Sequence, residues 1–358
     1  MPRSLSSQGV HRFRHEAMAS FFELRVCAGE EVDRDYAAQA AYEVFREVDR
    51  LENLLSRFRE GSDVFRINRL AEGEGMRVSF ECAECLTLSA RITQATSGAF
   101  DPGVGEVMDA ARAAGLIAPL APDAPTRRQQ WVEPRHQRQR EAADDLDSAL
   151  QRLGGGALRL EALEVHCVEA GMRIDLGGIG KGYALDRAAE ILGRWGIGDA
   201  LLLAGGSSAR ALGNEVAGPG NKNGWSVHLA GDRFSNEVTL RERSIGASGT
   251  AIQGAHLVDP RRKKLHMPGG GWRRAWVIAD RAALADALST AVMTLGAEEI
   301  ANSLPGWEET FGERFSIVLE PADEGSPPTR IFCDKAGKAL AAPLDSAPEG
   351  GPDQAQNW

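Results

Sequence analysis

A carboxylate, a run of glycines and an ammonium stand together at Asp175-Leu176-Gly177-Gly178-Ile179-Gly180-Lys181. Met172 to Leu176 reads as a short apolar strand and Gly180 to Trp195 as a helix, so the run predicts a strand, a glycine turn and a helix start. Such a turn presents backbone N–H groups at a helix N-terminus, where anions bind. A phosphate-bearing ligand is therefore the first chemistry to test, with tight glycine packing as the alternative. Neither common phosphate motif fits. A P-loop requires Gly-x-x-x-x-Gly-Lys-Ser/Thr, but Asp175 occupies the first glycine position and Gly182 the hydroxyl position. The dinucleotide spacing Gly-x-Gly-x-x-Gly, started at Gly180, ends on Leu185.

A second candidate lies downstream. Asp286 and Thr290 are four residues apart in a segment, Ala282 to Leu295, with helical character, so they share one helix face. Two hard oxygen donors suit Mg²⁺, which takes few protein ligands alongside substrate phosphate; an ordinary polar helix face is the alternative. His256-Leu257-Val258-Asp259-Pro260 places a histidine near an aspartate, as a general base, a phosphate contact or a plain surface histidine. Ser248-Gly249-Thr250 reads as a hydroxyl-lined loop or a turn. Phe58, in Leu55-Ser56-Arg57-Phe58, stacks on a flat ring or packs into the core. Cys82 and Cys85 have no second cysteine pair to complete a zinc site, and 81–96 reads as a helix with Cys85, Leu88 and Ile92 on one face, which predicts buried thiols.

The elements that must position these groups follow from periodicity. Helices are expected over 33–56, 81–96, 180–195, 282–295 and 298–304. Strands are expected over 21–26, 158–160, 165–168, 172–176, 200–203, 225–229, 238–240, 275–279, 315–319 and 329–332. Many neighbouring strands are joined by short turns, which predicts an α+β fold with a largely antiparallel sheet. Residues 1–15 read as a flexible N-terminus, 117–145 as a charged, proline-containing insertion, and 341–358 as a disordered tail. The net charge of -10 argues against a nucleic-acid partner. No stretch reaches membrane-spanning length. With neither a signal peptide nor a lipid-attachment cysteine apparent, a cytoplasmic location is expected.

Five segments in order decide among these readings: Leu55 to Phe58 with Ser62 to Asn68, Ser97 to Gly105, Asp175 to Asp186, His256 to Pro260, and Ala285 to Thr290. Together they closely resemble the ApbE family of FAD:protein FMN transferases, from about Met18 to beyond Gly296. The resemblance implies an ApbE-like (T-fold-like) two-lobed domain over 16–340, its mainly antiparallel sheet flanked by helices. It implies Mg²⁺ held by the Gly178 carbonyl, Asp286 and Thr290, with Ser289 where some relatives carry a second aspartate. It implies FAD bound against Met18, Phe58, Ala99, Phe100, Asp101, Asp175, Lys181 and Val258, and His256 as base or proton relay. The implied reaction moves FMN from FAD to a Ser or Thr of an acceptor protein and releases AMP. An FAD-storage protein of the same fold and a Mg²⁺-dependent FAD pyrophosphatase are the alternatives. The chain departs from the family at Met18-Ala19-Ser20, where Met-Gly-Thr is usual, and at Gly205-Gly206-Ser207-Ser208, where an acidic residue or Asn commonly follows the glycines.

Overall fold

The computed structural model describes residues 9–29, 31–116, 144–154, 158–169, 171–215, 223–231, 235–249, 257–266, 271–323 and 325–344. The strands before the glycine turn are β1 (Val10–Ala17), β2 (Ser20–Cys27), β3 (Gly75–Arg77), β4 (Leu158–Glu161) and β5 (Glu164–Cys167). After it come β6 (Ala200–Ala204), β7 (Ser208–Leu212), β8 (Trp225–Ala230), β9 (Ser235–Leu240), β10 (Ser244–Gly249) and β11 (Leu257–Asp259). The last are β12 (Lys264–His266), β13 (Trp272–Ala279), β14 (Ser316–Pro321), β15 (Thr329–Cys333) and β16 (Ala339–Pro343). The helices are α1 (Arg34–Leu55), α2 (Asp63–Ile67), α3 (Phe80–Ala95), α4 (Gly105–Ala113), α5 (residues 144–151), α6 (Gly180–Arg194), α7 (Ala282–Val292) and α8 (Ala297–Phe311).

One nine-stranded sheet organises the molecule, in the order β1-β2-β6-β7-β10-β13-β14-β15-β16, and its neighbouring strands pair antiparallel. This is the α+β architecture expected. The period-2 alternation of side chains decides what covers each face. On β13, Ala275, Val277 and Ala279 join the core under the helices, while Trp276 and Ile278 join a second cluster under the β8–β9 hairpin. The central strands are thus buried on both faces, which is why they read as near-continuous apolar runs. Between the sheet and the outer helices lies α7. Every residue from Ala282 to Val292 is buried except Thr290, as a helix apolar almost all round requires.

Four expectations need correction. Residues 10–15 are not a loose terminus but most of the edge strand β1. At the other end, 341–343 belong to β16. Met172 to Leu176 is not a strand: a lone parallel bridge joins Val104 to Arg173, the Asp175 N–H bonds to the Pro102 carbonyl, and the Asn68 side chain holds Ile174 at both its N–H and its carbonyl. Helix α8 does not stop at Leu304 but runs through Pro305 to Phe311. An interior proline costs a helix roughly 3 kcal/mol; here Leu304, Trp307 and Phe311 are buried on one side, and the Trp307 indole N–H bonds to the Ala95 carbonyl at 2.8 Å. Of the expected insertion, 117–143 lies outside the described residues, as do residues 1–8 and 345–358. Among the described residues no helix is long and apolar enough to cross a membrane.

Candidate active site

Two glycines let α7 reach the centre of the fold. A methyl group on Gly182, in the first turn of α6, would lie 2.2 Å from the Ala282 carbonyl oxygen. One on Gly246, in the middle of β10, would lie 2.3 Å from the Ala285 oxygen and 2.5 Å from the Asp286 nitrogen. Real Cβ atoms are excluded at such distances, so only hydrogen at both positions allows the helix to be wedged between α6 and β10. A glycine interrupting a strand often marks such a close backbone approach, and Gly246 within Ile245-Gly246-Ala247 carried that signal.

This wedge fixes Asp286. Its buried carboxylate accepts the Gly182 N–H at 3.1 Å on one oxygen and the Ser208 hydroxyl at 2.9 Å on the other. Each oxygen keeps a further lone pair for a ligand. One turn on, Thr290 is 3.2 Å from the Ser248 hydroxyl. Ser289 is fully buried; it donates to the Asp286 carbonyl at 2.7 Å and lies 2.9 Å from Ser248 Oγ. Gly178 faces the same spot, for a methyl group there would be 3.6 Å from Thr290 Oγ1 and 3.2 Å from the Phe100 ring. The fold thus brings Gly178, Phe100 and Thr290 together across more than a hundred residues of chain, with Asp286 one helical turn away. Ser208 and Ser248 complete this hydroxyl-rich corner, and Ser248 sits on β10 rather than in a loop.

The glycine turn spends its N–H groups internally. Gly177 donates to Asp175 Oδ1 at 2.8 Å, Gly180 to the Leu176 carbonyl at 2.8 Å, and Gly182 to Asp286. The bare anion cradle read from the sequence is therefore largely filled. Positive charge instead comes from Lys181, whose stem passes Gly205 and whose ammonium is 3.5 Å from the Gly177 carbonyl. Beside Gly205 lies Ser20, at the end of the β1–β2 hairpin whose turn carries Met18.

Asp175 pairs with the Arg57 guanidinium at 2.9 Å. Phe58 is 52% exposed, with the Arg57 guanidinium 4.4 Å from its ring centre, so its ring is open to a flat partner. Ala99 and Phe100 are buried. Asp101 accepts the Gly103 N–H at 2.7 Å and the Gly154 N–H at 3.3 Å. Burial pushes its carboxyl above the ordinary carboxylate range, and those two N–H bonds only partly offset it. Val258 packs on β11 in a small cluster with Val107, Met108, Leu150 and Leu153. His256 lies outside the described residues. Cys82 and Cys85 are buried thiols as expected, and burial pushes Cys82 up to about 12. Among the described residues no group of three or more His, Cys, Asp or Glu side chains is placed to hold a metal ion.

The chain belongs to the ApbE family, whose family model matches residues 18–309. It is similar to the FAD:protein FMN transferase of Rhodobacter capsulatus, 28% identical over 297 residues, which cover 77% of this chain and 50% of that protein. The FAD:protein FMN transferase of Treponema pallidum (strain Nichols) is 24% identical over 299 residues, covering 76% of each chain. The chain thus spans about half the length of the first of these relatives. Among solved structures, the flavin transferase ApbE from Vibrio cholerae superimposes with a TM-score of 0.69 at 18% identity, covering 94% of this chain and 97% of that one. The Pseudomonas stutzeri flavinyl transferase ApbE, in its apo form, gives 0.68 at 20% identity over 95% and 96%. These likenesses agree in fold with the antiparallel sheet and helices described above.

Proposed function

We propose that this protein is a Mg²⁺-dependent FAD:protein FMN transferase that links FMN through a phosphoester to a Ser or Thr of an acceptor protein. The observation that carries the reading is the meeting of Gly178, Thr290 and Asp286 in a chain of this family. A carbonyl, a hydroxyl and one carboxylate are hard oxygen donors, which fits Mg²⁺ rather than a soft or nitrogen-seeking metal. Gly178, Asp286 and Thr290 would hold the ion, with Ser289 behind them; bound there, it would offset charge building on the pyrophosphate oxygens.

The chain's own residues do the rest. Lys181 brings an ammonium to the pyrophosphate, and Asp175, Asp101, Ala99, Phe100, Met18 and Val258 shape the FAD site. Phe58 offers its exposed ring to the flavin. The acceptor hydroxyl oxygen bonds to the FMN-side phosphorus as the bond from that phosphorus to the AMP oxygen breaks. His256 takes the hydroxyl proton, and AMP leaves.

The test mixes purified protein with FAD, Mg²⁺ and candidate acceptors carrying an exposed Ser/Thr loop. A fluorescent acceptor band on a denaturing gel, with AMP released in equal amount and both abolished by EDTA, is the expected result. Free FMN and AMP without a fluorescent band would assign hydrolysis instead, and bound flavin with neither product would assign storage.

A further inference from the structure

The stem of the glycine turn, Arg173 to Asp175, lies outside the sheet; backbone bonds from Gly105 to Arg173 and from Asp175 to Pro102 hold its ends, and two side chains from the 57–68 segment hold the rest. Asn68 closes on the Ile174 backbone like a strand partner: its amide donates to the Ile174 carbonyl at 2.9 Å, and its oxygen accepts the Ile174 N–H at 2.6 Å. Arg57 does the same for the next side chain. Its guanidinium holds Asp109 with two parallel bonds, at 2.7 and 3.0 Å, and its Nε forms an ion pair with Asp175 at 2.9 Å in which the N–H is not aligned as a hydrogen bond. A planar, permanently charged fork can serve two carboxylates at once in fixed geometry; a lysine cannot. The Arg57 side chain is only 5% exposed, so it is shielded from solvent while touching two of the expected FAD contacts, Asp175 and Phe58.

We propose that Arg57 is a positioning residue of the flavin site: it orients the Asp175 carboxylate and, through the Gly177 N–H which that carboxylate holds, the turn carrying Gly178. Asp109 is its fixed point on α4. The asymmetry of the network directs the effect toward Asp175. Asp109 also has Arg173 at 3.3 Å and Arg112 at 3.4 Å, so it keeps cationic neighbours when Arg57 is removed. Asp175 keeps the Gly177 N–H, but the ion pair that fixes its direction is gone. The ligand side of this inference rests on the flavin-transfer reading; the positioning of the turn does not.

Two measurements test it on the full-length protein: FAD affinity by flavin fluorescence quenching, and amide hydrogen exchange across 172–178 without ligand. Arg57→Met is expected to weaken FAD binding and raise the KM for FAD by about 10- to 100-fold, the range for losing a group that orients a ligand contact, with a smaller change in kcat. Exchange across 172–178 should quicken in the same variant while the α1 and β13 amides stay protected. Arg57→Lys, which keeps the charge and is the safer folder, should show the same pattern in weaker form. In an Asp175→Asn background Arg57→Met should add little, because both changes break one interaction. Unchanged exchange across 172–178, or fully additive losses in the double variant, would overturn the proposal. Wild-type protein that binds no FAD would overturn the flavin reading and leave the exchange result to decide the positioning role.

Discussion

Asp186 and Asp286 each cap the beginning of the other's helix. Asp186, on α6, accepts the N–H groups of Ala282 and Ala283 at 2.7 and 2.9 Å, the first two residues of α7. Asp286, on α7, accepts the N–H of Gly182, the third residue of α6. Neither helix has a side-chain cap from its own N-cap position, which Ile179 and Arg281 occupy. The orphan donors that a helix start always leaves are therefore satisfied by the neighbouring helix, and the two elements fix each other's register. A carboxylate at each N-terminus also suits the helix dipole.

The first prediction concerns pH. Burial raises the Asp186 carboxyl to about 6, against the downward pull of the Ala283 and Ala282 N–H groups. A carboxyl raised in the folded state binds its proton more tightly there than in the unfolded chain, so its contribution to stability is greatest below pH 4 and declines as pH rises to about 6. Above that it is constant. Asp186→Asn removes this slope. Denaturant melts at pH 4.5 and pH 7 should show wild type losing ground relative to the variant as pH rises; parallel curves would contradict it.

Asp286 separates architecture from chemistry. In Asp286→Asn the amide oxygen can still accept the Gly182 N–H while its nitrogen donates to Ser208, so the thermal midpoint should change little. Flavin transfer should fall by at least about 10²-fold, because the charge that holds the metal is lost. Asp286→Ala leaves a buried N–H and a buried hydroxyl unpaired, at a cost of about 1–3 kcal/mol each, and should lower the midpoint as well. Retained transfer in Asp286→Asn would remove the carboxylate from the metal site.

Gly246 is the sharper test of the wedge. Gly246→Ala puts a methyl group 2.3 Å from the Ala285 oxygen, and α7 must shift to relieve it. Overpacking of this kind costs about 1–3 kcal/mol. Chemical denaturation should register that loss, and FAD turnover should drop with it although Gly246 has no side chain to offer a ligand. A neutral result would mean that α7 moves freely against β10.

Ala19 offers a gain. Met18 and Ala19 both sit at φ of 52° in the β1–β2 turn, a left-handed conformation that suits glycine and strains other residues. The family's usual glycine at this position fits that geometry. Ala19→Gly should raise stability by up to about 1 kcal/mol once the greater freedom of glycine in the unfolded chain is subtracted. Thermal melts check the sign.

The extent to which the sequence foretold the structure depends on how local each feature is. Asp33, Ser62 and Ser79 cap α1, α2 and α3 by bonds to their own neighbours, and apolar periodicity located α1, α3, α6 and strands such as β2, β6 and β8 within a residue or two, while short or glycine- and serine-containing strands such as β7 and β10 went unread. The glycine turn and the Asp286/Thr290 face were equally legible, because both are written in consecutive residues. Met172 to Leu176 misled because its apolar pattern matches a strand, while its backbone partners are Asn68, Pro102 and Gly105, remote in sequence. Pro305 misled because the buried contacts of Trp307 outweigh a local penalty.

By itself, then, the sequence determined the family, the longer apolar elements and a set of candidate site residues, all properties of short contiguous runs. Only the tertiary structure decided what those residues do to one another. It seated α7 between Gly182 and Gly246, set Thr290 against Gly178, occupied the turn's N–H groups with Asp175 and Asp286, and buried Arg57 between two carboxylates. Each of these is a contact between residues far apart in the chain, fixed by steric exclusion and by the need to pair buried polar groups.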